Sequence, residues 1–455
     1  MKQLSREEIL SMTMDLCRRY KTDHAVAILN TSSENTLRFA LNRPTQHMGN
    51  EVLSLSIAVA KNCQEAMITT NCVSTNQLDS AVQEVLKLAE YAPQNPEFIG
   101  PVCQQEYNET KTWFNSTAQL NHNDITSAVN VMCEHAKTKH VDLFGNFGVI
   151  KGLLSIKNTE GLSLEQPYTE VKVNVTGRTK QGGSSRVMTK EGDWNYIVPL
   201  KISETATDVA IRSSNPHTIN PGKYTVILSP NAVLELLMYL VFAMDARESE
   251  LGQSYFSNAK GGTRTGERLF DPLVTISSLY DHPRMPTMPF GTAFGSGGSS
   301  VGMLFSYGLP MQNRTWIEKG VVKSLRYSPY WAWKNKKLPT GYPQNIVMDG
   351  SVTPEDEIIK DTKKGIYISS FWYTSSTNMN TLSVTGLTRD GVFYIENGQI
   401  QRPLVNFRFN DSLVHVLNQI SAIGLSEKAE GEYISGIAPP LRVDAFNLSS
   451  ISEAV

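Results

Sequence analysis

The sequence predicts an α+β fold made of two domains. Its first 90 residues alternate between helical and period-two apolar patterns in the order helix, strands, helix, which is typical of an α+β module. From about residue 141, short apolar runs separated by turn residues dominate, so the remainder is expected to be rich in strands. The length of 455 residues is too great for one small domain and suits two of roughly 200 residues each.

The first helix has a start signal in the sequence. Ser5 and Glu8 form the pattern of a capping box, in which each side chain can bond to the backbone N–H of the other residue. Apolar residues then recur at helical spacing. We therefore expect a helix that runs from this box to about Tyr20.

Strands and a second helix are predicted next. Residues 25–29 and 36–41 flank the turn-rich residues 30–35 and suggest a hairpin. Residues 53–60 alternate between large and small or polar side chains, which is the pattern of a half-buried strand. Residues 78–89 carry apolar side chains at helical spacing, so they predict an amphipathic helix.

The middle of the chain contains a proline-rich segment and further regular elements. Residues 91–102 carry three prolines and are interpreted as a linker or a strap across the surface. A helix capped by Asp124 should end near residue 139. Residues 153–156 and 169–176 are candidate strands, with a turn between them at residues 160–161.

One helix of the second half stands out by its composition. Residues 230–246 carry apolar side chains on almost every face, and a helix of that kind is buried. Residues 291–302, GTAFGSGGSSVG, predict a flexible loop.

The last third is expected to hold a short helix followed by hairpins. Thr353 can cap this helix, and Gly365 can end it. Residues 381–388 and 392–395 suggest two strands joined by a turn at residues 389–391. Another turn is predicted at Glu396-Asn397-Gly398, and a final amphipathic helix begins near residue 413.

The charge balance gives no reason to expect a nucleic-acid or membrane partner. The net charge is -2 and the pI is about 6.5, so no global field attracts polyanions. The longest apolar stretch, residues 233–244, is shorter than the roughly 20 residues that span a bilayer. The first residues carry no apolar secretory segment. We therefore expect a soluble, cytoplasmic protein.

Several segments of the second half resemble members of the TldD/PmbA family, and they occur in the family's order. They are TGER at residues 265–268, NRTWIEKGVV at 313–322, GIYISSFW at 365–372, LTRDG at 387–391, FYIENGQIQRP at 393–403, VNFRFNDSL at 405–413 and SAIG at 421–424. The resemblance implies an N-terminal α+β domain of the α/β-sandwich type, over residues 1–215. It also implies a large, mostly antiparallel β C-terminal domain with a buried helix, over residues 216–455.

The resemblance also implies a chemistry. Catalytic TldD-type members carry an HExxxH motif on a helix and a cysteine near the C-terminus. The histidines and the cysteine can hold zinc, and the glutamate can take a proton from the zinc-bound water. TldD-type and PmbA-type (TldE-type) chains work together to degrade flexible peptides and to trim leader segments from peptide products.

This chain departs from that motif. None of its eight histidines is followed by glutamate, and no cysteine lies beyond Cys133. Counted back from the TGER segment, the family's histidines fall on Phe242 and Arg247 and its glutamate on Ala243. A different gap places Glu248 and Gln253 there instead. Neither set suits zinc, because phenylalanine has no ligating atom and arginine is a permanent cation.

The sequence therefore predicts a non-catalytic, PmbA-type subunit without a cofactor of its own. Zinc is expected on a TldD-type partner, and the ligand is expected to be a peptide. Arg247 and Glu248 are candidate substrate-binding residues, although a helix end with solvated charges is the simpler interpretation. Two alternatives stay open: a homodimeric peptide-binding scaffold, and an enzyme with a remodelled site that uses Arg247, Glu248 or His282.

Three further signals have simple structural interpretations. His135 and His140 lie five positions apart near a helix end, which is not the i, i+4 spacing that one metal needs. The glycines of residues 261–266 lack the pattern of a phosphate-binding loop. The aromatic run Phe371-Trp372-Tyr373 could stack on a ligand, but in a strand-rich domain it is more simply core plus surface.

Overall fold

The structure is a computed structural model that describes residues 4–293 and 300–452. It contains both helices and mostly antiparallel sheets, so the predicted α+β class is confirmed. Of the glycine-rich residues 291–302, which were predicted to be a flexible loop, residues 294–299 lie outside the described part. Within that part, no helix is both long enough and apolar enough to cross a bilayer.

The first part of the chain builds one antiparallel sheet with helices around it. Its elements are α1 (Arg6–Arg19), β1 (His24–Ala40), β2 (Arg43–Lys61), β3 (Gln64–Thr70), α2 (Thr75–Tyr91), α3 (Asn115–Ala118), α4 (His122–Thr138), β4 (Asp142–Asn158), β5 (Ser163–Arg178), β6 (Ser184–Glu191) and α5 (Pro199–Arg212). The strand order is β3-β2-β1-β4-β5-β6. The capping box of Ser5 and Glu8 forms as predicted, whereas Asn121 rather than Asp124 caps α4.

The two faces of this sheet have different neighbours. In β1, Ala25 and Leu29 pack under α1 and α2, and Leu37 packs under α4 and α5. These residues share one face because side chains alternate along a strand. Val26 and Ile28 point to the other face, where they pack against the second part of the chain. The sheet is thus enclosed between helices and the C-terminal half.

The second part of the chain contains many short strands. Its elements are β7 (Gly222–Leu228), α6 (Pro230–Ala243), α7 (Ala246–Glu250), β8 (Ile276–Ser278), β9 (Phe290–Gly291), α8 (Ser300–Phe305), β10 (Leu309–Pro310), β11 (Arg314–Glu318), β12 (Val321–Val322), α9 (Pro329–Lys334), β13 (Asn345–Met348), α10 (Glu355–Lys360), β14 (Lys364–Asn378), β15 (Ser383–Glu396), β16 (Gln399–Pro403), β17 (Phe407–Ser412), α11 (Leu413–Asn418), β18 (Ile420–Ile423), β19 (Glu427–Glu430), β20 (Ser435–Ala438) and β21 (Leu441–Ile451).

These strands form a small barrel and a separate sheet. The barrel closes through the order β14-β7-β21-β17-β15, and β15 pairs back with β14. The second sheet has the order β12-β11-β8-β13-β20-β19. Helix α6 packs against β14 of the barrel and against β19 and β20 of this sheet. Because α6 lies between the barrel and this sheet, its side chains from Ala232 to Leu237 are all buried, as the sequence predicted. The helix ends at Ala243, earlier than the predicted residue 246.

More than one segment of the first part forms hydrogen bonds with the second part. The backbone N–H of Lys190 on β6 donates to the Glu430 carboxylate on β19 (3.1 Å). The proline-rich segment after α2 lies along the second part, where the N–H of Val102 donates to the carbonyl of Phe305 (3.2 Å). This segment is therefore a strap across the surface, one of the two predicted alternatives.

The predicted hairpin over residues 25–41 is wrong. Strand β1 continues through residues 30–35, which pair with β2 on one side and with β4 on the other. The turn comes only at Leu41 and Asn42, whose φ angles of 52° and 58° fit a tight hairpin. Pairing on both edges satisfies the backbone along the polar run, so its turn propensity does not decide the structure.

One other turn and the ends of one helix also need correction, whereas the turn at residues 396–398 forms as predicted. Residues 389–391 are a bulge within β15, with φ of 54° at Asp390 and 124° at Gly391. Thr353 does not cap α10, which has Pro354 at its N-cap and ends at Lys360. Gly365 belongs to β14, where a Cβ atom would lie 2.9 Å from the Thr225 carbonyl of neighbouring β7.

Candidate functional site

Phe242 and Arg247, the positions onto which the sequence resemblance maps the family's histidines, lie at a break between two helices. Helix α6 ends at Ala243, and α7 begins at Ala246. Phe242 is therefore in the last turn of one helix and Arg247 in the first turn of another. Asp245 caps α7 by accepting a hydrogen bond from the N–H of Glu248 (3.1 Å). Two side chains separated by this break cannot occupy neighbouring turns of one helix.

The first two positions carry no metal ligand. Phe242 is half-buried, and its ring centroid lies 5.5 Å from that of Tyr342. Ala243 is fully buried, and its carbonyl accepts a hydrogen bond from the Ser254 hydroxyl (2.8 Å). Phe242 therefore takes part in apolar packing, and Ala243 takes part in the hydrogen bonds at the end of α6.

Arg247 is held by an ion pair to the strap. Its two terminal nitrogens donate to the two carboxylate oxygens of Glu97 at 2.6 and 2.7 Å. This fork-to-fork geometry is the stronger form of an arginine–carboxylate pair. The guanidinium also lies 5.3 Å from the centre of the Trp331 ring. The structure thus places Arg247 where it connects the strap to α7 and to α9.

Glu248 lies between a carboxylate and a cation. Burial raises the pKa of its carboxyl, Asp245 raises the pKa further, and Arg326 opposes both effects. The structure brings Arg247 and Glu248 together on α7, as their adjacency in sequence requires. His282 lies in a different loop, where its ring accepts from the N–H of Arg284 (3.2 Å) and burial lowers the pKa of the imidazole.

Arg326 also belongs to this candidate site, and no pattern in the sequence pointed to it. Its side chain is only 6% exposed, and it reaches into the helix break. Its Nε donates to the carbonyl of Val241 (3.1 Å) and its Nη2 to that of Phe242 (2.7 Å). The carboxylate of Asp245 lies 3.9 Å away. A cation at this end of α6 is favourable, because the free carbonyls of a helix C-terminus carry partial negative charge.

The residues around the break do not fit a zinc ion. Phe242 and Ala243 offer no donor atom, Arg247 is paired with Glu97, and Arg326 brings a buried positive charge to the place. Within residues 4–293 and 300–452, no three His, Cys, Asp or Glu side chains are grouped as metal ligands. The chemistry of this donor set therefore disagrees with the family's metal.

A cleft of about 570 Å³ opens beside the break, between the two parts of the chain. Strand β1 contributes Ile28 and Asn30, and β5 contributes Tyr168. Phe242 lines the same cleft from α6. Its volume lies within the roughly 300–1,000 Å³ range of ligand sites. The second part of the chain adds four more aromatic side chains: Phe290, Tyr307, Tyr342 and Tyr433.

Burial disfavours ionisation of two tyrosine hydroxyls in the cleft. Burial raises the pKa of Tyr342 to about 12 and also raises the pKa of Tyr307. The Tyr168 hydroxyl donates to Oδ1 of Asn30 (3.1 Å). The Gln344 amide is fixed by the backbone, since its Nε2 donates to the Phe290 carbonyl (2.9 Å). The wall is therefore apolar and aromatic with a few fixed polar groups.

A smaller cavity of about 260 Å³ adjoins the cleft and shares Tyr168 and Gln344 with it. Its charged side chains form ion pairs or accept hydrogen bonds. The buried Glu191 receives both terminal nitrogens of Arg284 at 2.6 Å. Glu170 holds Lys172 and Lys190, each at 2.7 Å. The cleft and this cavity together form a groove with one apolar and one charge-paired end.

Comparison with known proteins now identifies the family. The family model described as the PmbA/TldA metallopeptidase C-terminal domain matches residues 221–450. The chain belongs to the PmbA/TldD family. The match covers the barrel, the buried helix α6 and the second sheet. No curated protein matches the chain.

Solved structures share the fold over almost the whole length of this PmbA/TldD member. TldE from Thermococcus kodakarensis has a TM-score of 0.81 and 15% identity, with 97% of this chain and 99% of that chain covered. A candidate DNA gyrase modulator from Bacteroides thetaiotaomicron gives 0.82 and 17%, covering 99% and 100%. One from Thermotoga maritima gives 0.80 and 19%, covering 97% and 100%. At these identities the likeness concerns the fold.

The other sequence signals have local roles in this PmbA/TldD structure. His135 bonds through Nδ1 to the Ser203 hydroxyl (3.0 Å), so it links α4 to α5. Gly261, Gly262 and Gly266 all have positive φ angles, which fits tight turns. In the aromatic run, Phe371 is buried in the barrel core, whereas Tyr373 is 71% exposed.

Proposed function

We propose that this chain is the peptide-binding, non-catalytic subunit of a pair, in which a TldD-type zinc metallopeptidase supplies the catalytic metal. The pair would degrade flexible peptides or trim leader segments in the cytoplasm. The observation that carries the proposal is the buried guanidinium of Arg326, fixed at the helix break beside Phe242 and next to the cleft. Family membership and the fold shared with TldE support it.

The physical argument starts from the charge at the break. A metallopeptidase needs ligands that bind a divalent cation and a base that activates its water. Here the space is approached by a permanent cation whose hydrogen bonds already satisfy the end of α6. A second cation placed beside it would be repelled. The cleft keeps a size and a lining suited to a ligand, so the chain is suited to binding a peptide and unsuited to cleaving it.

The experiment is co-expression with the HExxxH-containing homologue of the same genome. Size-exclusion chromatography and metal analysis should give a one-to-one complex that holds one zinc per pair. Cleavage of a fluorogenic flexible peptide should require both chains. Cleavage should disappear when the motif glutamate of the catalytic chain is replaced by glutamine, which is the control for contaminating proteases.

Three other outcomes would contradict the proposal. A metal-free homodimer that ignores the homologue would favour a peptide-binding scaffold. Stoichiometric zinc on the isolated chain together with peptide cleavage would show that this chain is itself a metallopeptidase. Activity of the isolated chain that needs no metal, and that Glu248→Ala alone abolishes, would favour a remodelled enzyme site.

A further inference from the structure

The lining of the 570 Å³ cleft indicates which ligand groups the cleft can accept. Among the described residues that line it, none is Asp, Glu, Lys, Arg or His. Six are aromatic: Tyr168, Phe242, Phe290, Tyr307, Tyr342 and Tyr433. The polar side chains are Asn30, Thr292, Gln344 and the tyrosine hydroxyls. A ligand group that enters the cleft therefore exchanges water for apolar surface and ring faces.

We propose that this cleft selects a bulky apolar or aromatic side chain of the bound peptide, with Asn30 lying in its wall. This inference rests on the proposed function, because it names the substrate class of the same groove. It concerns the choice of peptide and is independent of which chain carries the zinc.

Desolvation decides the choice. A lysine or aspartate side chain in this cleft would lose its hydration and meet no charge of opposite sign on the wall. Arg326 is not among the described residues that line the cleft, and the Asp245 carboxylate lies 3.9 Å from its guanidinium, so it gives an aspartate in the cleft no direct partner. An aromatic side chain would gain buried area and edge-to-face contacts with the surrounding rings.

The neighbouring cavity limits the selection to one part of the peptide. Tyr168 and Gln344 form the border between this cavity and the cleft, and the ion pairs of Glu191 and Glu170 lie in the cavity wall. A polar or charged residue of a peptide would lose less in desolvation there, because charged side chains line that cavity. A peptide lying along the groove would thus need an apolar residue at one position. At the neighbouring positions it could carry many kinds of residue.

The test is binding of fluorescein-labelled heptapeptides of Gly and Ser with one central variable residue, measured by fluorescence anisotropy on the full chain. Phe and Leu peptides should bind about tenfold or more tightly than the Gly, Lys and Asp peptides, the effect of burying one large apolar side chain. The same panel is measured on the complex with the catalytic homologue, if that complex forms.

Asn30→Asp is the decisive variant. It preserves the size of the side chain and the oxygen that accepts from Tyr168, and it adds one negative charge to the wall. The Lys peptide should gain about fivefold in affinity, while the Phe peptide should lose affinity. A gain for one peptide beside a loss for another cannot arise from unfolding.

Tyr433→Ala removes an exposed part of the wall and should weaken the Phe peptide several-fold. Tyr91→Ala is the matched control, because these tyrosines are 75% and 80% exposed and Tyr91 lies at the end of α2, outside the cleft. It should leave binding unchanged.

The outcomes separate this inference from the function on which it rests. If no peptide binds, both fail. If peptides bind with equal affinity whatever the central residue, or if Asn30→Asp changes neither the affinity of the Lys peptide nor that of the Phe peptide, the cleft does not select the side chain, and peptide binding itself stands. A preference for Asp or Lys in the unmodified chain would also overturn the inference.

Discussion

Replacing Arg326 by methionine tests whether its guanidinium stabilises the helix break. The variant keeps an apolar stem of similar length and removes two hydrogen bonds from a charged donor, each worth about 1.5–3 kcal/mol. It also leaves the buried carboxylate of Asp245 without its cation, and breaking a buried pair costs about 3–5 kcal/mol. These contributions overlap, because they belong to one group, so we expect a loss of about 3–5 kcal/mol in the free energy of unfolding.

Differential scanning calorimetry measures this loss as a shift in Tm. For a cooperative unit of about 200 residues, 1 kcal/mol corresponds to about 3 °C, so the Tm of the part that contains α6 should fall by about 10 °C. Arg326→Lys retains the charge without the planar fork and should fall less. Arg18→Met is the control, since Arg18 pairs with Asp15 on the exposed surface of α1.

An unchanged Tm for Arg326→Met would refute the reasoning. It would mean that the carbonyls at the end of α6 find other partners and that the buried charge contributes nothing to the fold. A fall of equal size in Arg18→Met would also refute it, because the loss would then follow from any arginine replacement.

Three further outcomes are expected. The double variant Phe242→His with Arg247→His should not reach one zinc per chain by metal analysis after zinc dialysis, because its histidines would lie on separate helices. Glu97→Gln should increase hydrogen exchange of the strap, since it removes the charge that holds Arg247. Glu248→Gln should raise Tm at pH 7 and not near pH 4. Its folded-state pKa is raised by burial and by Asp245, so ionisation weakens the fold above the unfolded pKa, and that loss is absent where both states are protonated.

The sequence predicted local structure well where one element decides its own conformation. The capping box of Ser5 and Glu8 needs only four residues, and the buried helix α6 needs only its apolar composition. Predictions failed where pairing with distant strands decides. The polar middle of β1 has the composition of a turn, but it remains a strand because it pairs with β2 on one edge and with β4 on the other. Asp390 does adopt the left-handed conformation that favours a turn, but the chain continues there as a bulged strand.

For the candidate site too, some features could be predicted from the sequence and others could not. The absence of metal ligands at Phe242 and Arg247 could be deduced from residue types, because a phenylalanine has no donor atom anywhere in a fold. Arg326 could not be found, since it lies 84 positions from the carbonyl of Phe242 to which it donates. The cleft could not be found from the sequence either, because Asn30 and Tyr342 line it together only when the two parts of the chain meet.

The helix break also determines what this chain could contribute to a peptidase. The carbonyls of Val241 and Phe242 at the end of α6 accept hydrogen bonds from Arg326, and the carboxylate of Asp245 lies 3.9 Å from the same guanidinium. Substrate contacts made by such a subunit exist before the reaction and persist through it, and uniform binding of this kind lowers KM without raising kcat. Under the proposed function, variants of the cleft such as Asn30→Asp should therefore change the KM of the assembled enzyme and leave kcat almost unchanged. A large fall in kcat at constant KM would place the cleft in the chemical step, and the division of labour between the two chains would have to be abandoned.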